Sequence, residues 1–501
     1  GGPISTDAVQ AMAVNLAPYS VLYNDFQGAN VNVVTKSGGN QFHGSITGEY
    51  SSTDYIGDTV RGAKIANQFE EKTWAATLGG PIIKDKLFFF LSYEKFEAER
   101  ATIAGPVGSG KPVITGSATA ATPYVTAAQI TAIQDILATV YSFDYDKTHS
   151  ILGNILLPEV DEKKLAKIDW NITDDHRLAV TYQHTAGTRQ IEGNRSSQTQ
   201  LALGSHYYTK GDDLEVFSGQ LNSTWGEHLK TELAATQKTV VTLQSPVGGA
   251  PGNSSVAGDE PAEFGQFSIA GNPAISGTGT RILAGPDVAR HANELNNKLT
   301  SYRGRMFYDI GDNSFSAGFE REKLDVFNLF LQRSEGEFTF NTVANLQAAL
   351  PDQVRYQNAI VDANGDGLRN ELDAAAKFDY TTDSLYAQDT LRITQSLSVT
   401  AGARYVRLSQ SDKPIANSFF ANRYGFSNSE NLDGRNVMLP RVSFDWRPEV
   451  DKWHISNVRL TGGAGLFSGG AATVWVSNSF SNTGVLAADI SCIRGATSAN
   501  C

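Results

Sequence analysis

The chain has 501 residues, 19% of them charged, and a formal net charge of −12. An acidic balance with no basic stripe argues against nucleic-acid binding. No run of about eighteen apolar residues occurs, so no transmembrane helix is expected; the longest aromatic-aliphatic block is LFFFL at 87–91. A soluble chain of this length would form roughly two to four domains, whereas a large barrel holds it as one unit. The first residues carry no charged stretch followed by an apolar one. That is read as a missing natural start, not as a sign of the cytoplasm. The two cysteines, Cys492 and Cys501, leave the first 491 residues without any, which suits an exported, oxidising setting.

Taken in chain order, alternating apolar and polar residues predict strands near 41–54, 73–80, 87–99, 164–172, 176–187, 212–225, 228–243, 295–310, 314–332, 378–394, 396–409, 438–447 and 455–467, with a fourteenth starting near Val474. Ala166, Ile168, Trp170 and Ile172 oppose Lys167, Asp169 and Asn171. Leu178, Val180 and Tyr182 oppose Arg177, Thr181 and Gln183. Leu397, Val399, Ala401, Ala403 and Tyr405 oppose Ser398, Thr400 and Arg404; Val442, Phe444 and Trp446 oppose Arg441, Ser443 and Asp445. Charges such as Arg404, Arg441 and Asp445 are costly in lipid, so they are expected inside a lumen. Alternation alone also fits a soluble two-layer sheet with one wet face.

The connections separate these two readings. Near 173–175, 226–227, 311–313 and 395–396 the chain reverses within a few polar residues. Between those points lie long Gly/Ser/Thr/Asn/Asp stretches at 101–162, 245–290 and 333–376. A membrane barrel sorts its loops this way, with short turns at one rim and long loops at the other. Trp170, Trp225 and Trp446 precede short turns and Trp453 follows one, as in an interfacial girdle. One helix is predicted in a long loop, at 126–141. Thr126 and Gln129 form a capping box, and Ile130, Ile133, Leu137 and Val140 recur at helical spacing.

Few motifs carry chemistry. DANGDGLRNELD places Asp362, Asn364 and Asp366 at positions 1, 3 and 5 of a calcium loop, with Gly367 at the turn. Leu368 offers a carbonyl, Asn370 a ninth-position contact and Asp373 the twelfth, where glutamate is usual. The same string is equally a metal-free polar turn. If Ca2+ binds, it stiffens an external loop, with affinity in the weak extracellular range of about 0.1–1 mM; no cofactor is required. GPVGSGK at 105–111 imitates a phosphate loop, but Pro112 stands where Ser or Thr is needed and no βαβ unit surrounds it. No histidine pair has metal-binding spacing, and no nucleophile elbow or convergent catalytic set appears, so no enzyme is expected. Cys492 and Cys501 either bridge locally in an external loop or pair with cysteines elsewhere.

Longer strings add a resemblance. VNVVTKSGGNQFHGS at 31–45 and TLGGPIIKDKLFFFLSYE at 77–94 resemble the junction of plug and barrel in TonB-dependent outer-membrane receptors, and more narrowly the Oar-like branch. LYAQDTLRITQSLSVTAGARY at 385–405, LPRVSFDWRP at 439–448 and residues 462–484 resemble barrel strands of that family. The resemblance implies an all-β fold, a transmembrane antiparallel barrel of about 22 strands closed by a plug. Residues 1–38 would be the C-terminal part of the plug domain. Residues 39–501 would be a partial barrel of about fourteen strands, with long extracellular loops. An unclosed sheet leaves backbone groups unpaired in lipid, so these residues alone are not expected to insert stably. The resemblance further implies residence in the Gram-negative outer membrane, a ligand bound on external loops, and import driven by the TonB–ExbB–ExbD complex through a segment upstream. Partners would be outer-membrane lipid and an unidentified extracellular ligand. A surface adhesion or structural barrel without energised transport is the alternative.

Overall fold

The computed structural model describes residues 2–16, 18–26, 28–57, 59–60, 63–64, 69–102, 105–106, 125–152, 155–192, 200–247, 264–270, 281–363, 365, 367–448, 458–470 and 473–495. Its frame is a 13-stranded antiparallel sheet in which each strand pairs with the next in sequence. The strands are His43–Ser52, Phe69–Ile83, Leu87–Ala101, Leu156–Asn171, His176–Ile191, Tyr208–Trp225, Leu229–Pro246, Ala292–Ile310, Asn313–Leu331, Ala376–Arg392, Leu397–Ser409, Asn436–Trp446 and Leu460–Gly465. Such a meander is the cheapest way to satisfy every backbone group of alternating segments joined by tight turns.

The two rims differ as expected. At one rim the strands reverse at 84–86, 172–175, 226–228, 311–312 and 393–396. The two-residue reversal pairs Ile310 directly with Asn313, and Gly311 supplies the left-handed backbone it needs (φ 57°). At the other rim the connections are 53–68, 102–155, 192–207, 247–291, 332–375 and 410–435.

The sheet's outer face is apolar in a band. Ile46, Leu233 and Leu385 lie open on it, at 86%, 52% and 63% exposure. Trp170, Trp225, Phe315 and Trp446 mark its short-turn edge, and Trp74, Tyr93, Tyr182, Phe217, Tyr302 and Phe319 the opposite edge. Beyond that edge the same face turns charged, with ion pairs Lys95–Glu97, Lys164–Glu162, Arg321–Asp383 and Lys323–Asp325. Phe217 and Trp225 sit on one strand, eight residues apart, so about 27 Å of strand separates the rows at ~3.4 Å per residue. With strands tilted by about 40°, that leaves roughly 20 Å of height, close to the apolar band of a bilayer-spanning sheet. Trp453 lies outside the described residues.

The long connections fold together instead of wandering. They form a six-stranded mixed sheet, ordered Gln200–Ala202, Arg281–Ala284, Gln266–Ala270, Glu337–Phe340, Gln353–Ala359, Ala487–Ile493. On it packs the helix Ala127–Val140, started by the expected Thr126–Gln129 capping box. Ile130, Ile133 and Leu137 are fully buried against Leu201, Phe267, Ile269, Ile282 and Phe340. This cap has its own hydrophobic core.

The strand expected from Val474 is instead the helix Thr473–Ser481. Its Val476 and Phe480, four residues apart, reach one apolar patch on the sheet's inner face, and Ser477 between them is buried. Helical spacing lets that face meet the patch; strand spacing would point Val476 and Ser477 to opposite sides.

Candidate functional site

The N-terminal residues lie inside the sheet. A hairpin of Val9–Leu16 and Ala29–Thr35 is linked through residues 17–28. Side chains from eight strands spread across the sheet hydrogen-bond to this segment on the same face, Thr47 to Asp7 among them, so the sheet wraps around it. At one side the Pro3 carbonyl accepts from Gln183 Nε2 and Thr185 Oγ1, at 2.6 and 2.8 Å. Ser5 Oγ donates to Glu94 Oε2 at 2.6 Å, and Lys163 Nζ holds the other oxygen of that carboxylate at 2.6 Å. Lys167 Nζ donates to Ser37 Oγ at 2.8 Å.

The opposite wall carries an arginine clamp. Arg441 Nη1 donates to the Ser20 and Tyr23 carbonyls, both at 2.7 Å. Arg404 donates to the Val21 carbonyl at 3.3 Å, and Arg305 to that of Leu22 at 3.0 Å. Gln388 Oε1 accepts from Ser20 Oγ and the Val21 N–H, each at 3.0 Å. Four consecutive residues, 20–23, are thus gripped by side chains of four strands.

The clamp is itself held by charge pairing. Glu320 pairs with Arg404 and, at 2.9 Å, with Arg305. Tyr386 lies under the Arg404 guanidinium at 4.6 Å, and its hydroxyl links Arg305 to Glu320. Arg441 rests on the Phe467 ring at 4.6 Å, and Phe467 meets Tyr19 and Phe26 edge-on. Among the described residues Arg404 is the largest fully buried side chain, at 2% exposure. Buried cations on backbone carbonyls form strong, directional hydrogen bonds, and no carboxylate of residues 20–23 is involved. The arrangement grips main chain and needs no counter-charge on the gripped segment.

Arg404 and Arg441 face inward, as alternation requires, and so does Asp445, which pairs with Arg459. Arg305, Glu320, Glu94 and Lys163 were not singled out from the sequence. For Arg305 and Glu320 a faint signal was there: Arg303 with Arg305 and Glu320 with Glu322 are like charges at period two, masked by the polar and charged residues around them in the same strands.

The remaining expected residues lie in the cap. Asp362 accepts from the Gly365 and Gly367 N–H groups at 2.7 and 2.9 Å. Asp373, buried at 2% exposure, accepts from Ala363 and Asn370 N–H. Asn370 caps the turn Glu371–Ala374, and Leu368 is exposed. Asn364 and Asp366 lie outside the described residues, as do residues 107–111 of the phosphate-loop imitation. No group of three potential metal ligands occurs among the described residues. Cys492 lies on the strand Ala487–Ile493 and is disulfide-bonded; Cys501 lies outside the described residues.

The base of the cap holds a buried titratable cluster. Asp146 accepts from Ser205 N–H and Oγ at 2.7 and 2.6 Å, yet burial pushes its carboxyl up to about 6. His206 and His291 are wholly buried, and desolvation lowers both, His291 to about 4. His206 Nε2 stands 4.0 Å from Asp287 Oδ2.

A lipid-facing antiparallel sheet with short turns at one rim, a folded cap at the other and a polymer segment clamped in its lumen defines an outer-membrane β-barrel protein. Residues 34–492 match the outer membrane beta barrel domain, and the chain belongs to that family. It is 34% identical over 98 residues to the TonB-dependent transporter Oar of Myxococcus xanthus, a match covering 18% of this chain and 9% of that protein. Its fold is shared with the outer-membrane transporter YddB of Escherichia coli (TM-score 0.57, 10% identity, 95% of this chain and 50% of that one). It is also shared with a mutant ferric enterobactin receptor of Pseudomonas aeruginosa (TM-score 0.51, 11% identity, 92% of this chain and 49% of that one). The chain thus spans about half the length of these structures.

Proposed function

We propose that this chain is part of a TonB-dependent outer-membrane receptor of the Oar-like kind, which binds a ligand at its extracellular side and imports it with TonB energy. The clamp on residues 20–23 carries the reading. A polymer segment held in a lumen mostly by main-chain contacts is suited to repeated release and re-seating, because the arginine grip depends on carbonyls and not on particular side chains of residues 20–23. On this reading residues 1–38 are the end of a plug. The open apolar residues of its hairpin, Met12, Val14 and Val33 among them, support it, since such surface is expected to pack on further protein.

Copurification of TonB with the full-length parent protein from outer-membrane extracts is the test. Binding that requires the sequence upstream of Gly1 is the expected result. A folded protein that captures no TonB would favour the adhesive or structural barrel instead.

We propose two further features of the cap. The Asp362–Asp373 loop, with Asn364, Asp366, Leu368 and Asn370, takes up Ca2+ weakly, in the range of about 0.1–1 mM. Slower amide exchange across 362–373 in millimolar calcium is expected; unchanged exchange leaves a metal-free turn. Cys492 pairs with Cys501, which peptide mapping without reductant would find as one cross-linked fragment.

A further inference from the structure

The inner face is not uniformly polar. Directly opposed residues of five neighbouring strands form two adjacent rows across it. One row runs Leu214, Val240, Asn297, Val326, Phe378. The next runs Val216, Lys238, Leu299, Leu324, Tyr380. Ten positions on the lumen side of a water-facing wall therefore carry seven aliphatic or phenyl side chains, a tyrosine, one amide and one ammonium. The outer-face alternation does not require this, because these are the positions that elsewhere in the sheet hold Glu94, Gln183, Arg305 and Arg441.

The helix Thr473–Ser481 covers part of this floor. Phe480 stacks on Phe378 at 4.8 Å, and Ser477 Oγ accepts from Asn328 Nδ2 at 2.6 Å. Between helix and wall remains a cavity of about 270 Å³, lined by Val240, Leu299, Leu324, Val326, Lys238 and Asn297 among others. A space of this size admits a short aliphatic chain.

Of the polar residues lining the cavity, Asn328 and Ser477 bond to each other, while the exposed Lys238 and the half-buried Asn297 are left to be satisfied. Two other inward lysines are neutralised, Lys163 by Glu94 and Asp161 and Lys167 by Asp169. Lys238 makes no ion pair or hydrogen bond with any described residue, although it sits between Val216 and Leu299. The Asn297 side-chain oxygen is buried without a hydrogen-bond partner. An unpaired ammonium beside an apolar cleft is complementary to a molecule that is apolar at one end and anionic at the other.

We propose that this cleft is a binding site for a short apolar monocarboxylate. The chain of the ligand lies between the helix and Leu299, Leu324 and Val326, its carboxylate meets Lys238 Nζ, and Asn297 turns its amide to the same group. The inference depends on the inward orientation of these strands and not on energised import, so it is tested at equilibrium without TonB.

Calorimetric titration of the full-length protein in lipid nanodiscs, with octanoate and the neutral octanamide as probes, decides it. Expected is saturable octanoate binding absent from empty nanodiscs and at least tenfold tighter than octanamide. Lys238→Met should weaken octanoate at least tenfold and leave octanamide within twofold. Val326→Trp should abolish both by filling the cavity. Octanoate heats equal to those of empty nanodiscs, equal affinity for the two probes, or unchanged octanoate binding by Lys238→Met would each overturn the proposal. Retained heat-modifiable mobility on gels identifies the variants that have folded.

Discussion

At the scale of single residues, inward and outward positions one step apart should behave oppositely. Val442 lies on the outer face, four residues from the girdle residue Trp446, while Arg441 beside it holds the Ser20 and Tyr23 carbonyls. Val442→Arg should cost roughly 2–4 kcal/mol near mid-bilayer, and Phe444→Arg less because it is closer to the interface. Denaturant titrations in lipid vesicles would read the order; equal costs would contradict the face assignment. The clamp makes a sharper case. Arg441→Ala removes two charge-assisted hydrogen bonds from residues 20–23, each worth about 1.5–3 kcal/mol. A cysteine placed at Val21, a position with 1% exposure, should then react with a maleimide more than tenfold faster than in the parent background, at about 1.4 kcal/mol per decade. Cys492, being disulfide-bonded, adds no thiol of its own to the readout. Arg404→Met should act differently, because it leaves Glu320 with Arg305 as its only paired cation in a largely buried site. A loss of about 3–5 kcal/mol in wall stability is expected.

At the scale of elements, short-range chemistry and long-range packing separate cleanly. The helix Ala127–Val140 declares itself through its cap and its Ile130–Ile133–Leu137 spacing, both local signals. Thr126→Ala should cost about 1 kcal/mol through the lost cap, and Ile133→Ala about 2–5 kcal/mol through a core void. Limited proteolysis should show faster cleavage in the cap for both, with the wall strands intact. The wall strands were equally legible, since alternation and tight polar turns are local. The cap sheet was not. Gln200–Ala202 and Arg281–Ala284 are three- and four-residue strands that pair in parallel across some eighty residues, and no window of sequence contains both partners. The helix Thr473–Ser481 misled for a related reason. Val474, Trp475 and Val476 carry high strand propensity, and only the distant patch of Val326, Phe378 and Tyr380 makes the helical spacing the better fit. Of the clamp, the direction of Arg404 and Arg441 could be read from alternation, but their targets lie about 400 residues away in sequence.

At the scale of the whole molecule, cap and wall should respond separately to acid. His206 and His291 are buried neutral at the cap's base, and desolvation holds both below their ordinary value, His291 at about 4. In the unfolded cap each would take up a proton near pH 6.5. Below that pH the unfolded form therefore binds more protons, and cap stability falls by up to about 1.4 kcal/mol per pH unit for each histidine. The His291 contribution levels off near pH 4. Asp146 works the other way. Its carboxyl is raised to about 6 by burial, so the folded cap holds that proton between about pH 6 and 4 while the unfolded form does not, and stability rises as pH falls through this window. Two histidines outweigh one aspartate, so net loss is expected between about pH 6.5 and 4. Hydrogen exchange at pH 7.5 and 5 should show the strands Gln266–Ala270 and Arg281–Ala284 losing protection in acid while Asn313–Leu331 keeps its own. His291→Gln should flatten this difference, and Asp146→Asn, which removes the opposing proton, should steepen it. Equal loss of protection in wall and cap would mean that the two do not open independently.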